Sequence, residues 1–143
     1  MGASFVALTP SSDSSMSYTH LFDIKGRMLD MICVEAGEEW RAVNFANMNT
    51  ALMKIENVQK NLEAMAEKEL KKPAKEQDKV LIGVHYFVNH SDCEGEFNTE
   101  ESLYIKEALI RLNESENGTD KAVAGLIDVF EQAIQDDGIV AIW

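Results

Sequence analysis

With 143 residues, 45% of them hydrophobic, the chain has the length and apolar content of a single domain, 1 to 143, built on one core. Its longest apolar run, Val80 to Val88, is interrupted by Gly83 and His85 and falls short of the roughly 18 to 20 residues of a membrane helix, which excludes a membrane span. The net charge is −12, and residues 91 to 143 carry −10 of it (thirteen acidic against three basic), a field that repels phosphates and argues against direct nucleic-acid binding.

Met1 to Leu8 has no positively charged stretch and too short an apolar run for a secretory signal, and Val6 stands where an N-myristoylation signal wants Ser or Thr. The cytosol is therefore the expected compartment. There, Cys33 and Cys93 are expected as free thiols, and the sequons at Asn89, Asn113 and Asn117 as chance.

In sequence order, Phe5 to Leu8 reads as a short strand and the Ser-rich stretch from Ser11 to Ser17 as a loop. Leu21, Ile24, Met28, Leu29 and Ile32 recur at helical spacing, which predicts a helix from Leu21 to Val34, stopped by Gly37. Phe45, Met48, Leu52, Ile55, Leu62 and Ala66 follow steps of three and four, predicting one long amphipathic helix from Glu39 to Lys72 with that stripe buried and Pro73 ending it. Lys68, Lys71, Lys72, Lys75 and Lys79 around its end read as solvated side chains that complement the helix dipole.

Val80 to Val88 suits a strand by composition but also carries a helical face, Val80, Val84, Phe87 and Val88; the loop-and-helix pattern beyond it favours helix. Glu100 to Leu112 is a helix with Asn98 or Thr99 as N-cap, and Asn98 with Glu101 resembles a capping box. Thr119 is expected to cap a last helix with a core face of Val123, Leu126, Ile127, Phe130 and Ile134, and Gly138 to take the left-handed position after it. Ile139 to Trp143 reads as a buried strand, whose natural partner is Phe5 to Leu8, with Trp143 held in the core. The expected fold is mostly α: a helical domain of four to five helices with a small two-stranded sheet from the termini.

One segment has chemical character. If Gly95 is set at position six of a calcium loop, His90 falls at one, Asp92 at three, Glu94 at five, Glu96 at seven, Phe97 at eight, Asn98 at nine and Glu101 at twelve. Calcium is a hard cation that wants oxygen ligands, a sharp glycine turn and a bidentate terminal carboxylate, so the segment resembles a degenerate EF-hand loop. It departs from that pattern at His90 and at the long Glu94, and the next-best register, Asn113 to Ala124, lacks the terminal Glu. The simpler expectation is an acidic helix connection held by capping bonds.

A zinc site of His85, His90, Cys93 and Cys33 rests on one His-x-x-Cys pair without a second, and the carboxylates around Cys93 disfavour a thiolate nucleophile. The sequence carries no Gly-rich phosphate loop, His-Glu-x-x-His or Gly-x-Ser-x-Gly pattern, so nothing positively marks an enzyme.

At Phe87 to Gly95, Phe130 to Ala133 and Asp137 to Trp143 the sequence resembles a group of small bacterial and phage proteins with a Ser-Asp-Cys-Glu/Asp-Gly loop, an aromatic-x-x-Ala helix and an Asp-Gly turn before a hydrophobic strand. The resemblance covers about the last third and implies a phage or mobile-element setting, with no activity or catalytic residue to carry over. The expected function is a non-catalytic binding protein that sequesters a host protein or a small ligand, in defence or counter-defence. The alternatives are a calcium-binding module and, last, an enzyme with a divalent cation in the acidic loop. A deep basic pocket with a stacking aromatic such as Trp40 would favour a nucleotide; an exposed apolar patch rimmed by acids would favour a protein.

Overall fold

Six α-helices and a four-stranded antiparallel sheet make up the described residues, 2–8, 11–91 and 94–142, of the computed structural model. The strands are β1 (Gly2–Leu8), β2 (Ser11–Ser17), β3 (Gly95–Phe97) and β4 (Val140–Ile142), in the spatial order β2-β1-β4-β3. The terminal strands pair as expected, with Phe5 opposite Ile142, Val6 opposite Ala141 and Ala7 opposite Val140. The position of Trp143 lies outside the described residues.

The sheet has two strands more than expected. Ser11 to Ser17 is not a loop but an edge strand in full register with β1, Gly2 opposite Ser17 through Leu8 opposite Ser11. Serine has little intrinsic strand preference, but the open edge of β1 supplies the ladder, and the Ser4 and Ser15 hydroxyls lie 2.8 Å apart across it. A polar outer strand also protects the edge from pairing with other molecules. On the opposite side, β3 comes from the acidic loop and places Phe97 opposite Val140. Along β1, Ala3, Phe5 and Ala7 are buried while Ser4 and Val6 are only partly covered, so the alternation is that of a sheet covered chiefly on one face.

The helices are α1 (Tyr18–Ile32), α2 (Val34–Arg41), α3 (Met48–Leu70), α4 (Lys79–Val88), α5 (Thr99–Ser115) and α6 (Lys121–Gln135), with one 3-10 turn at Ala74–Glu76. None is long and apolar enough to cross a membrane. Phe5, Phe87, Phe97 and Phe130 join β1, α4, β3 and α6 in one aromatic cluster, with ring centroids 5.4 to 6.4 Å apart.

Several boundaries differ from expectation for local reasons. The first break falls at Cys33, whose backbone is extended, and Gly37 sits inside α2 instead of stopping α1. The long helix predicted from Glu39 to Lys72 is divided into α2 and α3, because Asn47 caps α3 by accepting the Thr50 amide while Asn44 accepts that of Ala46. Asp120, not Thr119, caps α6 through the Ala122 amide at 2.9 Å. On α6 the fully buried face is Val123, Leu126, Val129, Phe130 and Ala133, with Ile127 and Ile134 half-buried at its margins.

Both α5 and α6 end in Schellman motifs. Gly118 N–H donates to Asn113 O at 2.9 Å and Asn117 N–H to Glu114 O at 3.2 Å; Gly138 N–H donates to Ala133 O at 2.8 Å and Asp137 N–H to Ile134 O at 3.2 Å. The left-handed residues after the two caps are thus Asn117 (φ 55°) and Asp137 (φ 50°), and Gly138 stands one position later than expected.

Candidate functional site

Three places gather polar or exposed chemistry. The first is the C-terminus of α4 and the loop after it. Lys25 occupies a position on the buried face of α1, is 3% exposed, and donates to the carbonyls of Val88 at 3.4 Å and His90 at 3.1 Å, an ammonium at the negative end of a helix. Gln59 donates to the same Val88 carbonyl at 3.4 Å, and the Asn89 amide bridges Gln59 O at 3.0 Å and His85 Nδ1 at 3.1 Å. Burial holds the His85 pKa below its ordinary value of 6.5 against the opposing pull of Glu63, Glu67 and Glu101.

The candidate calcium ligands come next along the backbone. Asp92 lies outside the described residues. The His90 ring packs on Phe97 with centroids 4.1 Å apart and has its nitrogens 3.0 Å from Ser91 O and 3.2 Å from Glu96 O. Gly95, at φ 113°, has the His90 ring where a Cβ would stand, 2.8 Å from Cε1, so glycine is required for this turn. Glu94 and Glu96 are exposed.

Asn98 and Glu101 form the capping box: Asn98 Oδ1 accepts the Glu101 amide at 2.8 Å and Glu101 Oε1 accepts the Asn98 amide at 3.0 Å. Phe97, at the eighth loop position, is a core residue. Among the described residues no three His, Cys, Asp or Glu side chains gather in a way suited to a metal ion. Of the candidate zinc ligands, Cys93 also lies outside the described residues, and Cys33 is a half-buried free thiol at the α1–α2 junction.

The second place is an ionic cluster. Arg27 of α1 reaches Glu116 at 3.1 Å and Asp120 at 2.5 Å, with Asp23 3.3 Å from its Nε, and His20 Nε2 lies 3.0 Å from Asp120. Asp120 thereby caps α6 and ties α1 to the α5–α6 connection. A charged group that also caps a helix is held in one rotamer, which favours pairing over solvation. Long sequence separations hide the cluster: Glu116 and Asp120 stand 89 to 100 residues from Arg27 and His20, and the one local pair, Asp23 with Arg27, does not announce them.

The third place is the corner where α2 gives way to α3. The side chains of Phe45, Met48 and Leu52 are 51%, 53% and 51% exposed, not buried as the stripe predicted. Leu62 and Ala66 of that stripe are buried as expected, but Ala51 and Val58 take the other buried positions of α3, which packs on α2 and α4, and Ile55 is only partly covered. The small Ala51 and Ala66 suit close approach of a neighbouring helix, and the larger Met48 and Leu52 are turned past its edge. Phe45 meets Phe22 edge-on at 5.4 Å, and Phe22 stacks on Trp40 at 4.6 Å. Trp40 is 3% exposed and its indole N–H donates to Phe22 O at 2.9 Å, so it is the buried base of this corner and no stacking platform.

Glu38 and Glu39 of α2 and Lys54, Glu56 and Lys60 of α3 are exposed, while Arg41 is paired with Asp30 at 2.5 and 2.9 Å. Beside it, a groove of about 420 Å³ is lined by Glu39, Ala42, Lys54, Asn57, Lys60 and Asn61, with no aromatic and mixed charge. Comparison with protein-family models, curated proteins and solved structures finds no match to this protein.

Proposed function

We propose that this is a non-catalytic binding protein that captures a host protein through the α2–α3 corner, in the defence or counter-defence setting implied by its resemblance to phage proteins. The observation that carries the reading is the half-exposure of Phe45, Met48 and Leu52 around a buried aromatic base. Exposed apolar side chains gathered on a buried aromatic base and bordered by charged residues are the anatomy of a protein-docking surface. The partner is a protein with an apolar cleft, and its border meets mixed charge, because exposed Lys54 and Lys60 share α2 and α3 with exposed Glu38, Glu39 and Glu56. A small ligand is less well supported, since Trp40 is buried and the adjoining groove has no aromatic side chain to stack on one.

The test is photo-crosslinking from position 52 in host extract, followed by binding of the purified crosslinked protein to wild type, Leu52→Asp and Phe45→Asp. Loss of binding in both variants with unchanged folding supports the reading. Equal binding by all three overturns it. A dimer of the purified protein that dissociates on Leu52→Asp would make the corner a self-interface, which also overturns it.

A further inference from the structure

We infer that Asn117 is a deamidation site whose conversion to isoaspartate releases the ionic cluster that ties α1 to the α5–α6 connection. Of the asparagines in the sequence, Asn117 alone is followed by glycine. Lack of a side chain on Gly118 leaves its backbone nitrogen open to approach the preceding carboxamide, and Gly118 is exposed at the surface.

The chemistry needs only water. The Gly118 backbone nitrogen attacks Asn117 Cγ, loses its proton, and expels the carboxamide nitrogen as ammonia; a new C–N bond forms as the carboxamide C–N bond breaks, giving a succinimide. Water then opens the ring at either carbonyl. Opening at the main-chain carbonyl leaves the backbone running through the former side chain, which is isoaspartate; opening at the other leaves aspartate. No oxidant or reductant takes part.

Two features set the rate and the consequence. Gly118 N–H is held by Asn113 O at 2.9 Å, so attack waits for the last turn of α5 to open. A C-terminal helix turn is among the first parts of a fold to fray, and the strain of a non-glycine residue at φ 55° favours that opening. Once isoaspartate forms, the backbone gains a carbon within the short stretch from Glu116 to Asp120, and the left-handed geometry that closed the Schellman motif is lost. Glu116 and Asp120 then no longer face Arg27 together, and His20 loses the same partner.

The experiment ages the full-length protein in warm, mildly alkaline buffer and follows it by peptide mapping, with isoaspartyl-directed methylation to mark the product. The aged species are separated by ion exchange, and each is examined by thermal melting and by the His20 ring resonances. Conversion of Asn117 before any other asparagine, with the isoaspartyl species melting below fresh protein and its His20 signal displaced, is the expected result. Denaturant should accelerate the conversion, because it removes the Gly118 hydrogen bond. Asn117→Gly should resist ageing while melting like fresh wild type, and Asn117→Asp should separate added charge from the lengthened backbone. Conversion elsewhere first, or an isoaspartyl species that melts with fresh protein and keeps its His20 signal, overturns the inference.

Discussion

Leu52 and Leu62 lie on the same helix, and alanine substitutions at the two should have very different costs. Leu62 is 2% exposed and belongs to the core cluster, so Leu62→Ala removes buried methyl groups and leaves a cavity, at about 2 to 5 kcal/mol. Leu52 is 51% exposed. Full burial of a leucine is worth about 1.5 to 3 kcal/mol, so half-burial with no enclosed cavity puts Leu52→Ala at about 1 kcal/mol or below. At this length each kcal/mol moves the melting midpoint by roughly 3 to 5 °C, so the two variants should be separated clearly. Urea denaturation followed by the fluorescence of buried Trp40 measures both. Equal losses would refute the reasoning, since they would mean that α3 is rolled to cover Leu52, and the proposed docking corner would lose its surface as well.

Gly83→Ala sets two effects against each other: alanine favours helix by about 1 kcal/mol, but its Cβ would overlap the Tyr104 carbonyl of α5, a backbone group that cannot swing away. Overpacking of about 1 to 3 kcal/mol or more should win, lowering the urea midpoint at unchanged slope; a gain would place α4 and α5 farther apart. Asp120→Ala removes a helix cap, about 0.5 to 2 kcal/mol, and two partly exposed pairs of up to about 1 kcal/mol each, so denaturation should register a loss of roughly 0.5 to 4 kcal/mol, and an unchanged midpoint would dismiss both the cap and the cluster. Burial lowers the His85 pKa in the fold, so as pH falls through the ordinary value of 6.5 the unfolded state binds more protons, and stability rises with pH across that window. His85→Gln should flatten this slope, and an unchanged slope would assign it to other groups. Glu101→Gln keeps the capping-box acceptor and should melt with wild type, whereas calcium heat abolished by the same change would restore the cation loop.

The parts of this fold that were legible in the sequence are those fixed by local chemistry. Asn98 and Glu101 are three residues apart with complementary donors and acceptors, so the capping box followed from spacing alone. The apolar terminal runs needed partners for their amides, and they found each other. What escaped was set by distant neighbours. β2 exists because β1 has an open edge, and the Arg27 cluster because α1 passes the α5–α6 connection. Lys25 gave a fainter signal: it falls four residues after Leu21 and three before Met28, on the buried face, where a lysine requires carbonyl partners.

The departure at α3 is the one on which the proposed function rests. Periodicity places Met48, Leu52 and Ile55 along one side of a helix, but it measures only that these side chains avoid the polar face; it does not say what covers them. Within this fold α3 buries Leu62 of the stripe together with Ala51 and Val58, while the first part of the stripe, Met48 and Leu52, stays half exposed in the segment that begins with Phe45. An apolar face that the sequence prepares and the fold leaves half open carries a continuing cost in water. Capture of a partner at this corner would remove that cost, and a partner that buries Phe45, Met48 and Leu52 would complete the amphipathic helix whose pattern the isolated protein satisfies only in part.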